Sequence, residues 1–422
     1  MPARKNKNLL PGPRALTAAA LTAFTSSAAW AQETIPWYVG VSQSLTRDSN
    51  VYRLSDGVAP INGESRSDTY SSTGLLGGFD QPYGRQRFRA VANVRYNKYQ
   101  DQDRLDNTSY GLDAGWDWST IWNLSGGVNV SANQSLAQLN GNSAVPTTTR
   151  NLVKTDQIGA NVNWGGTGLL SIQSTYSHSR ARYSDQNSGN SNSSGDSASL
   201  GAYYSLSPAV TTGLALRFTR TDATAANQNS SNGRNLDLSA NWRYSPQTGA
   251  NARLSWTRQS NSGSAGQEFS GLTGSLAANY APTAKLGFNI SYNRDAGTNG
   301  TFFNVPDTGG STTAPVLFEN SQVSDSLALG ASYAATAKIS ATAGYQYRKA
   351  KISNTAASGG ASAGFGDYDD KLQTASLGVG WAISRGWQLG CNFLHEKRDV
   401  TSTPGYAYTA NVIGCSASLS LR

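Results

Sequence analysis

Segments of about ten residues in which apolar and polar side chains alternate recur from Trp37 to Leu421. In one of them Phe88, Ala90, Ala92, Val94 and Tyr96 interleave with Arg87, Arg89, Asn93, Arg95 and Asn97. Successive strand side chains point to opposite faces, so each segment offers one face to an apolar phase and the other to water. Repeated from end to end, the pattern predicts an all-β chain. It reads as a transmembrane antiparallel up-and-down β-barrel of about eighteen strands.

The connections alternate in length. Short ones fall at 80–86, 119–121, 165–168, 207–209, 246–249, 282–284, 334–337 and 384–386. Between them lie long stretches rich in Gly, Ser, Asn and Thr, among them 134–152, 182–196, 295–321 and 351–370. Short turns face the periplasm in outer-membrane barrels and long loops face outward, so an even strand count predicts both termini in the periplasm. Trp37, Trp116, Trp118, Trp122, Trp164, Trp242, Trp381 and Trp387 flank the short turns, as a girdle at the inner headgroup level would. A β-sandwich would also alternate, but the second face here is almost wholly polar along the chain.

The first residues carry a different signal. Arg4, Lys5, Lys7 and Arg14 precede an apolar run, Ala15 to Ala29, and an A-x-A-like site at Ala29-Trp30-Ala31. The expectation is a cleaved signal peptide over 1–31, followed by a single outer-membrane barrel over 32–422. The apolar run is short and rich in Thr and Ser, and no later segment approaches the roughly twenty apolar residues of a membrane helix.

Composition changes the picture little. The formal charge of +8 includes four basic residues of the signal and falls to +4 without them, so it does not point to nucleic acid. Low charge and 44 glycines are compatible with disorder, but 10 Trp and 20 Tyr at periodic positions point to a structured β protein.

Chemistry-bearing groups are sparse. Two histidines, His178 and His395, fall on different strands, and no Ser/His/Asp or metal-ligand spacing accompanies them. The glycine-rich stretch 359–366 lacks the Lys-Ser/Thr ending of a phosphate-binding loop. No enzymatic activity, cofactor or metal is expected. Cys391 and Cys415 both fall on the outward face of the last two strands, and a hairpin centred near Thr403 sets them side by side. Either a disulfide or two reduced lipid-facing thiols fits that placement.

Parity turns Arg87, Arg89, Arg95, Arg217, Arg243, Arg253 and Arg348 toward the lumen, with Asp113, Asp117 and Asp237. Hairpins closed through their loop centres bring Arg95 near Asp113 and Arg217 near Asp237. Two readings stand: neutralised neighbours that hold a hydrated wall, or a net-positive ladder favouring an anionic solute. At the rim, the first strand ends in Arg47-Asp48-Ser49-Asn50-Val51-Tyr52-Arg53 and the penultimate one in His395-Glu396-Lys397-Arg398-Asp399. Closure leaves one strand between them, so Asp48 and Arg398, both inward by parity, are expected to interact across it.

Those two ends, with Trp37-Tyr38-Val39-Gly40-Val41 and Gly414-Cys415-Ser416-Ala417-Ser418-Leu419, resemble the exopolysaccharide-biosynthesis outer-membrane proteins of the EpsL type, a β-barrel porin family. The resemblance implies a role in exporting or assembling an extracellular polysaccharide, with that polymer and a periplasmic export machinery as partners and no catalytic residues. Beside it stand a general diffusion porin for small solutes and a non-transporting barrel whose loops bind surfaces. Each is expected in the outer membrane of a Gram-negative bacterium, among outer-membrane lipid and with no nucleic-acid partner.

Overall fold

The computed structural model describes residues 36–421 apart from 57, 59–62, 138–148, 167, 186–191, 225–229, 263–267, 300–302, 307–312, 317–318, 353–367 and 402–406. The expected signal segment and the glycine-rich stretch 359–366 lie outside the described residues. The strands are β1 (Trp37–Asp48), β2 (Asp68–Tyr83), β3 (Gln86–Tyr99), β4 (Asn107–Ser119), β5 (Leu124–Leu136), β6 (Leu152–Trp164) and β7 (Leu170–Tyr183). They continue as β8 (Asn192–Ser207), β9 (Val210–Thr224), β10 (Ser230–Ser245), β11 (Thr248–Ser262), β12 (Glu268–Thr283) and β13 (Leu286–Asn299). After the short β14 (Phe303–Pro306) and β15 (Thr313–Val316) come β16 (Glu319–Ala334), β17 (Ile339–Ile352), β18 (Tyr368–Ala382), β19 (Trp387–Val400) and β20 (Tyr408–Leu421).

Eighteen of these strands form one antiparallel sheet in which each pairs with the next in sequence, and β13 pairs with β16. β20 then pairs with β1, from Val39 opposite Leu421 to Asp48 opposite Val412, which closes the barrel. Closure removes the unpaired edges that an open sheet would expose to lipid. β14 and β15 pair only with each other, as a separate hairpin that alternation did not reveal.

Alternation decides which face meets lipid. Trp37, Val39, Val41 and Leu45 on β1, and Leu236, Leu238 and Trp242 on β10, stand exposed on the outer face, while their neighbours in sequence line the interior. Large aliphatic and aromatic groups around half exposed on nearly every strand are unfavourable in water and favourable against hydrocarbon. The eight short connections run two to five residues, as at 84–85, 208–209, 246–247 and 284–285, and the long ones occupy the other end of the barrel. Gly84 takes φ 59° in the first short turn, a conformation glycine adopts without a Cβ clash.

Two cross-strand pairs on the inner wall join a tyrosine to a glycine. Tyr38 lies opposite Gly78 and Tyr203 opposite Gly213, with each phenol ring covering the glycine so closely that a Cβ there would meet the ring. The absent side chain is what lets the ring lie flat along the wall.

Candidate functional site: the lumen wall and its outer mouth

At the short-turn end, Arg87 grips Asp80 through Nε (2.7 Å) and Nη2 (2.5 Å), and Arg89 reaches Asp117 at 2.5 Å. Sequence reading put Asp80 in a turn, but β2 continues through Pro82 to Tyr83 and presents Asp80 on the inner wall. Proline lacks an N–H and ordinarily ends strands, which is why the strand looked shorter. Arg243 sits exposed near the short turn at 246–247.

The middle of the wall is organised by β9, β10 and β11. Arg217 forks onto Asp237, Nε at 2.8 Å and Nη2 at 3.2 Å, the diagonal neighbour expected of it. Arg95 and Asp113 do not meet: Arg95 stands opposite Ser109 and Asp113 opposite Val91. The connection between β3 and β4 closes with Asn97 opposite Asn107, so the partner of Arg95 lies four residues before Asp113. On β10 to β12, Asn235, Asp237, Ser255, Thr257 and Thr273 are buried, and Thr257 bonds Asn235 and Thr273, each at 2.7 Å.

β13 narrows the lumen on this side. Its pairing with β12 runs no further than Arg294, opposite Gly274, while Asp295 and the residues beyond it pair only with β16. Parts of β13 come within 8 Å of β9 and β11, which are not its sheet neighbours. Asp295 thereby falls within electrostatic reach of Arg253 and Arg217. The buried Nε of Arg253 has no hydrogen-bond acceptor among the described residues.

The end that carries the long connections holds a denser network. Asp48 and Arg398 face inward as expected and are both buried, but they do not touch. Two strand spacings of about 4.8 Å separate β1 from β19, too far for a direct pair. Arg398 instead takes Asp370 on adjacent β18, and Arg348 on β17 is buried close to both. The seam is spanned by Arg53 from the first long connection, which meets Asp48 at 2.8 Å and Glu396 at 3.6 Å. Tyr408 on β20 donates its hydroxyl to Glu396 between them. Burial works against the charge on Arg53, but Asp48, Glu396 and Tyr408 outweigh it and raise the guanidinium above its ordinary value.

That first connection also packs a small core against the inner wall. Tyr52, Leu54 and Leu105 are buried with Tyr99, which stacks on Tyr70 at 4.8 Å between ring centroids. Tyr52 donates to Gln102 (2.6 Å) and accepts from Arg104 (2.9 Å), whose guanidinium lies 5.6 Å from the Tyr52 ring centre. Burial pushes the Tyr52 hydroxyl up, and Arg104 partly offsets the shift. Nothing in the periodicity singled out Arg53, Tyr52 or Arg104, because their positions follow from loop packing.

Counted around the wall, Arg87, Arg89, Arg95, Arg217, Arg243, Arg253, Arg348 and Arg398 share the interior with Asp48, Asp68, Asp80, Asp113, Asp117, Asp237, Asp295, Asp370 and Glu396. The excess of positive charge that a net-positive ladder needs is therefore absent from the strands' inner face, because Asp68, Asp80, Asp295, Asp370 and Glu396 join it. On the outer face, Cys391 lies directly opposite Cys415 and is disulfide-bonded to it, with 4.1 Å between Cα atoms. Both histidines also face outward, His178 against Asp196 (2.9 Å) and His395 against Asn411 (2.8 Å). Among the described residues no group of three or more metal-ligating side chains converges.

No family model matches the sequence, and neither does any curated protein. Several solved structures follow a similar path over most of their length. Pseudomonas aeruginosa OccK5 is 14% identical, over 92% of this chain and 99% of that one, with a TM-score of 0.45. The outer membrane protein OpdK of the same organism is 12% identical, over 91% and 99%, with a TM-score of 0.44. Acinetobacter baumannii OccAB4 is 11% identical, over 91% and 98%, with a TM-score of 0.44. The resemblance to EpsL-type exopolysaccharide proteins is thus not upheld, and with it go the polysaccharide and the export machinery as partners. The residues that suggested it, Arg47 to Arg53 and Glu396 to Asp399, have a local explanation, since they build the seam where the barrel closes. A closed eighteen-stranded barrel with an apolar outer face and a polar interior makes the chain an integral protein of the Gram-negative outer membrane.

Proposed function

We propose that this barrel is a passive channel through which small hydrophilic solutes diffuse with only weak preference for charge. Residues 1–31 serve as its export signal, its short turns and both termini face the periplasm, and the long connections face outward. The observation that carries the reading is the charge-balanced, hydroxyl- and amide-rich inner wall of a closed barrel of this strand number, a width that holds an aqueous channel. Within it the lean of β13 toward β9 and β11 brings Asp295 beside Arg253 and Arg217 on one side of the lumen.

Planar-bilayer recording of the purified protein tests this directly. Stepwise ohmic conductance with cation and anion permeabilities within about threefold of each other is expected of such a balanced pore. Silent bilayers, in which folded protein inserts without conductance, would leave the barrel as a surface-binding protein. An epitope inserted at 138–148 and detected on intact cells checks the orientation separately.

A further inference from the structure

Three cross-strand pairs on the outer face place two cations directly opposite each other: Lys154 and Arg182 on β6 and β7, Arg234 and Arg258 on β10 and β11, Lys349 and Lys371 on β17 and β18. Like charges in directly opposed positions destabilise a sheet. Each pair is half compensated by a nearby carboxylate. Arg182 meets Asp156 at 2.6 Å, Arg258 meets Glu268 at 3.3 Å and Lys349 meets Asp369 at 2.8 Å. The other member of each pair, Lys154, Arg234 or Lys371, has no carboxylate within ion-pair distance among the described residues, and of the three only Lys371 stands directly opposite one, Asp399 on β19.

The three pairs share a level. Along each strand they stand about eight to ten residues from the aromatic girdle at the short turns, as Lys154 does from Trp164, Arg234 from Trp242 and Lys371 from Trp381. At roughly 3.3 Å per residue and a tilt near 45°, that is about 20–25 Å, the height of a barrel's apolar band. The pairs therefore mark the far boundary of the hydrocarbon, on the side of the long connections. Toward the short turns the outer face becomes apolar and exposed: Leu236 and Trp256 directly under the arginine pair, Tyr345 and Leu377 beyond Tyr347 and Gln373 under the lysine pair, and Ile158 and Tyr176 beyond Asp156 and Arg180 under the third.

We propose that these three pairs are binding sites for a phosphate-bearing lipid of the outer leaflet. A phosphate group lying between two opposed cations cancels their repulsion through charge-assisted hydrogen bonds, while the acyl chains run down the apolar strip below. The strip commits the site to a lipid, since a free anion would gain nothing from it. The proposal takes the outward placement of the long connections from the orientation given above, and its test is independent of that placement.

Full-length protein in neutral detergent is titrated with bisphosphorylated lipid A, with the same lipid stripped of phosphate and with inorganic phosphate, and bound equivalents are read by native mass spectrometry. The phosphorylated lipid is expected to bind at least tenfold more tightly than the stripped one. The triple variant Lys154→Gln/Arg234→Gln/Lys371→Gln should lose at least tenfold in lipid retention, with conductance and heat-modifiable gel mobility unchanged. If the triple variant misfolds, the single variants serve, each losing about one lipid equivalent. Equal binding of stripped lipid, displacement of the lipid by inorganic phosphate, or variants that retain lipid like the parent would overturn the proposal. Binding in detergent does not depend on which end faces the periplasm, so a misassigned orientation would show in the epitope assay alone.

Discussion

Arg398 on β19 grips Asp370 on β18 through two parallel hydrogen bonds, Nε to Oδ1 at 2.9 Å and Nη2 to Oδ2 at 3.0 Å, both side chains buried at the long-connection end of the barrel. Removing one partner strands the other charge away from water, which costs about 3–5 kcal/mol. Arg398→Ala and Asp370→Ala should each lower barrel stability by roughly that amount in urea titrations of refolded protein. The double variant Arg398→Met/Asp370→Leu should be less destabilised than either, because neither member of the pair is left without the other and Arg348 loses a like charge along with its carboxylate neighbour. Additive losses in the double variant would show that the pair is not coupled.

The strands themselves were legible because a period of two has a single structural meaning when one face must meet lipid. Every apolar set from Trp37 to Leu421 lies on a strand, and the pairing of Cys391 with Cys415 followed from counting to the hairpin centre. What stayed hidden depended on register or on loops. Arg95 and Asp113 were misplaced because alternation keeps side chains on the same face under any even shift of register, and so does not fix the four-residue offset between Ser109 and Asp113. Asp80 was lost to a strand end that Pro82 concealed. Arg53 and the lean of β13 come from chain segments without any periodicity, so only packing reveals that the seam is bridged and the lumen narrowed.

The Arg53 bridge should be insensitive to alkaline pH. Its folded value lies above the ordinary guanidinium value, so its contribution is complete below the unfolded value and is lost only as pH rises through the folded one, beyond any practical range. Protease resistance of the 49–67 connection should therefore stay constant from about pH 7 to pH 10, where lysine-based pairs begin to weaken. Arg53→Ala should open the connection to cleavage at every pH in that window. A parent protein that becomes cleavable near pH 10 would place the restraint elsewhere.

Cys391 and Cys415 close a loop of 24 residues in sequence separation. Restricting the unfolded chain over such a loop is worth about 3 kcal/mol on the chain-entropy estimate. Intact mass without reductant should fall 2 Da below the value for two thiols. Cys391→Ala/Cys415→Ala should keep the register of β19 and β20, and with it the conductance, while unfolding at lower urea. An unchanged urea midpoint would mean that the flanking hydrogen bonds alone fix this last hairpin.

Gly78 and Gly213 each lie beneath a tyrosine ring from the neighbouring strand, Tyr38 and Tyr203. A methyl group at either site forces the ring out of its rotamer, and overpacking of this kind costs about 1–3 kcal/mol. Gly78→Ala and Gly213→Ala should both destabilise the barrel. Gly166→Ala, where a Cβ meets nothing within 4 Å, should not. Pairing each glycine substitution with Tyr38→Ser or Tyr203→Ser should recover part of the loss, since the clash disappears with the ring.

Charge at the narrowing should tune permeation in opposite directions. Arg253 and Arg217 face Asp295 and Asp237 where β13 leans toward β9 and β11, so the parent pore presents both signs to the solute. Asp295→Asn leaves the arginines in excess and should move the reversal potential toward anion preference. Arg253→Gln leaves Asp295 in excess and should move it toward cations, by roughly two- to threefold in permeability ratio for one charge in a hydrated constriction. Arg243→Gln, near an exposed short turn, should change little. Selectivity that responds equally to all three substitutions would mean that the whole wall, rather than the reach beneath β13, sets the passage of ions.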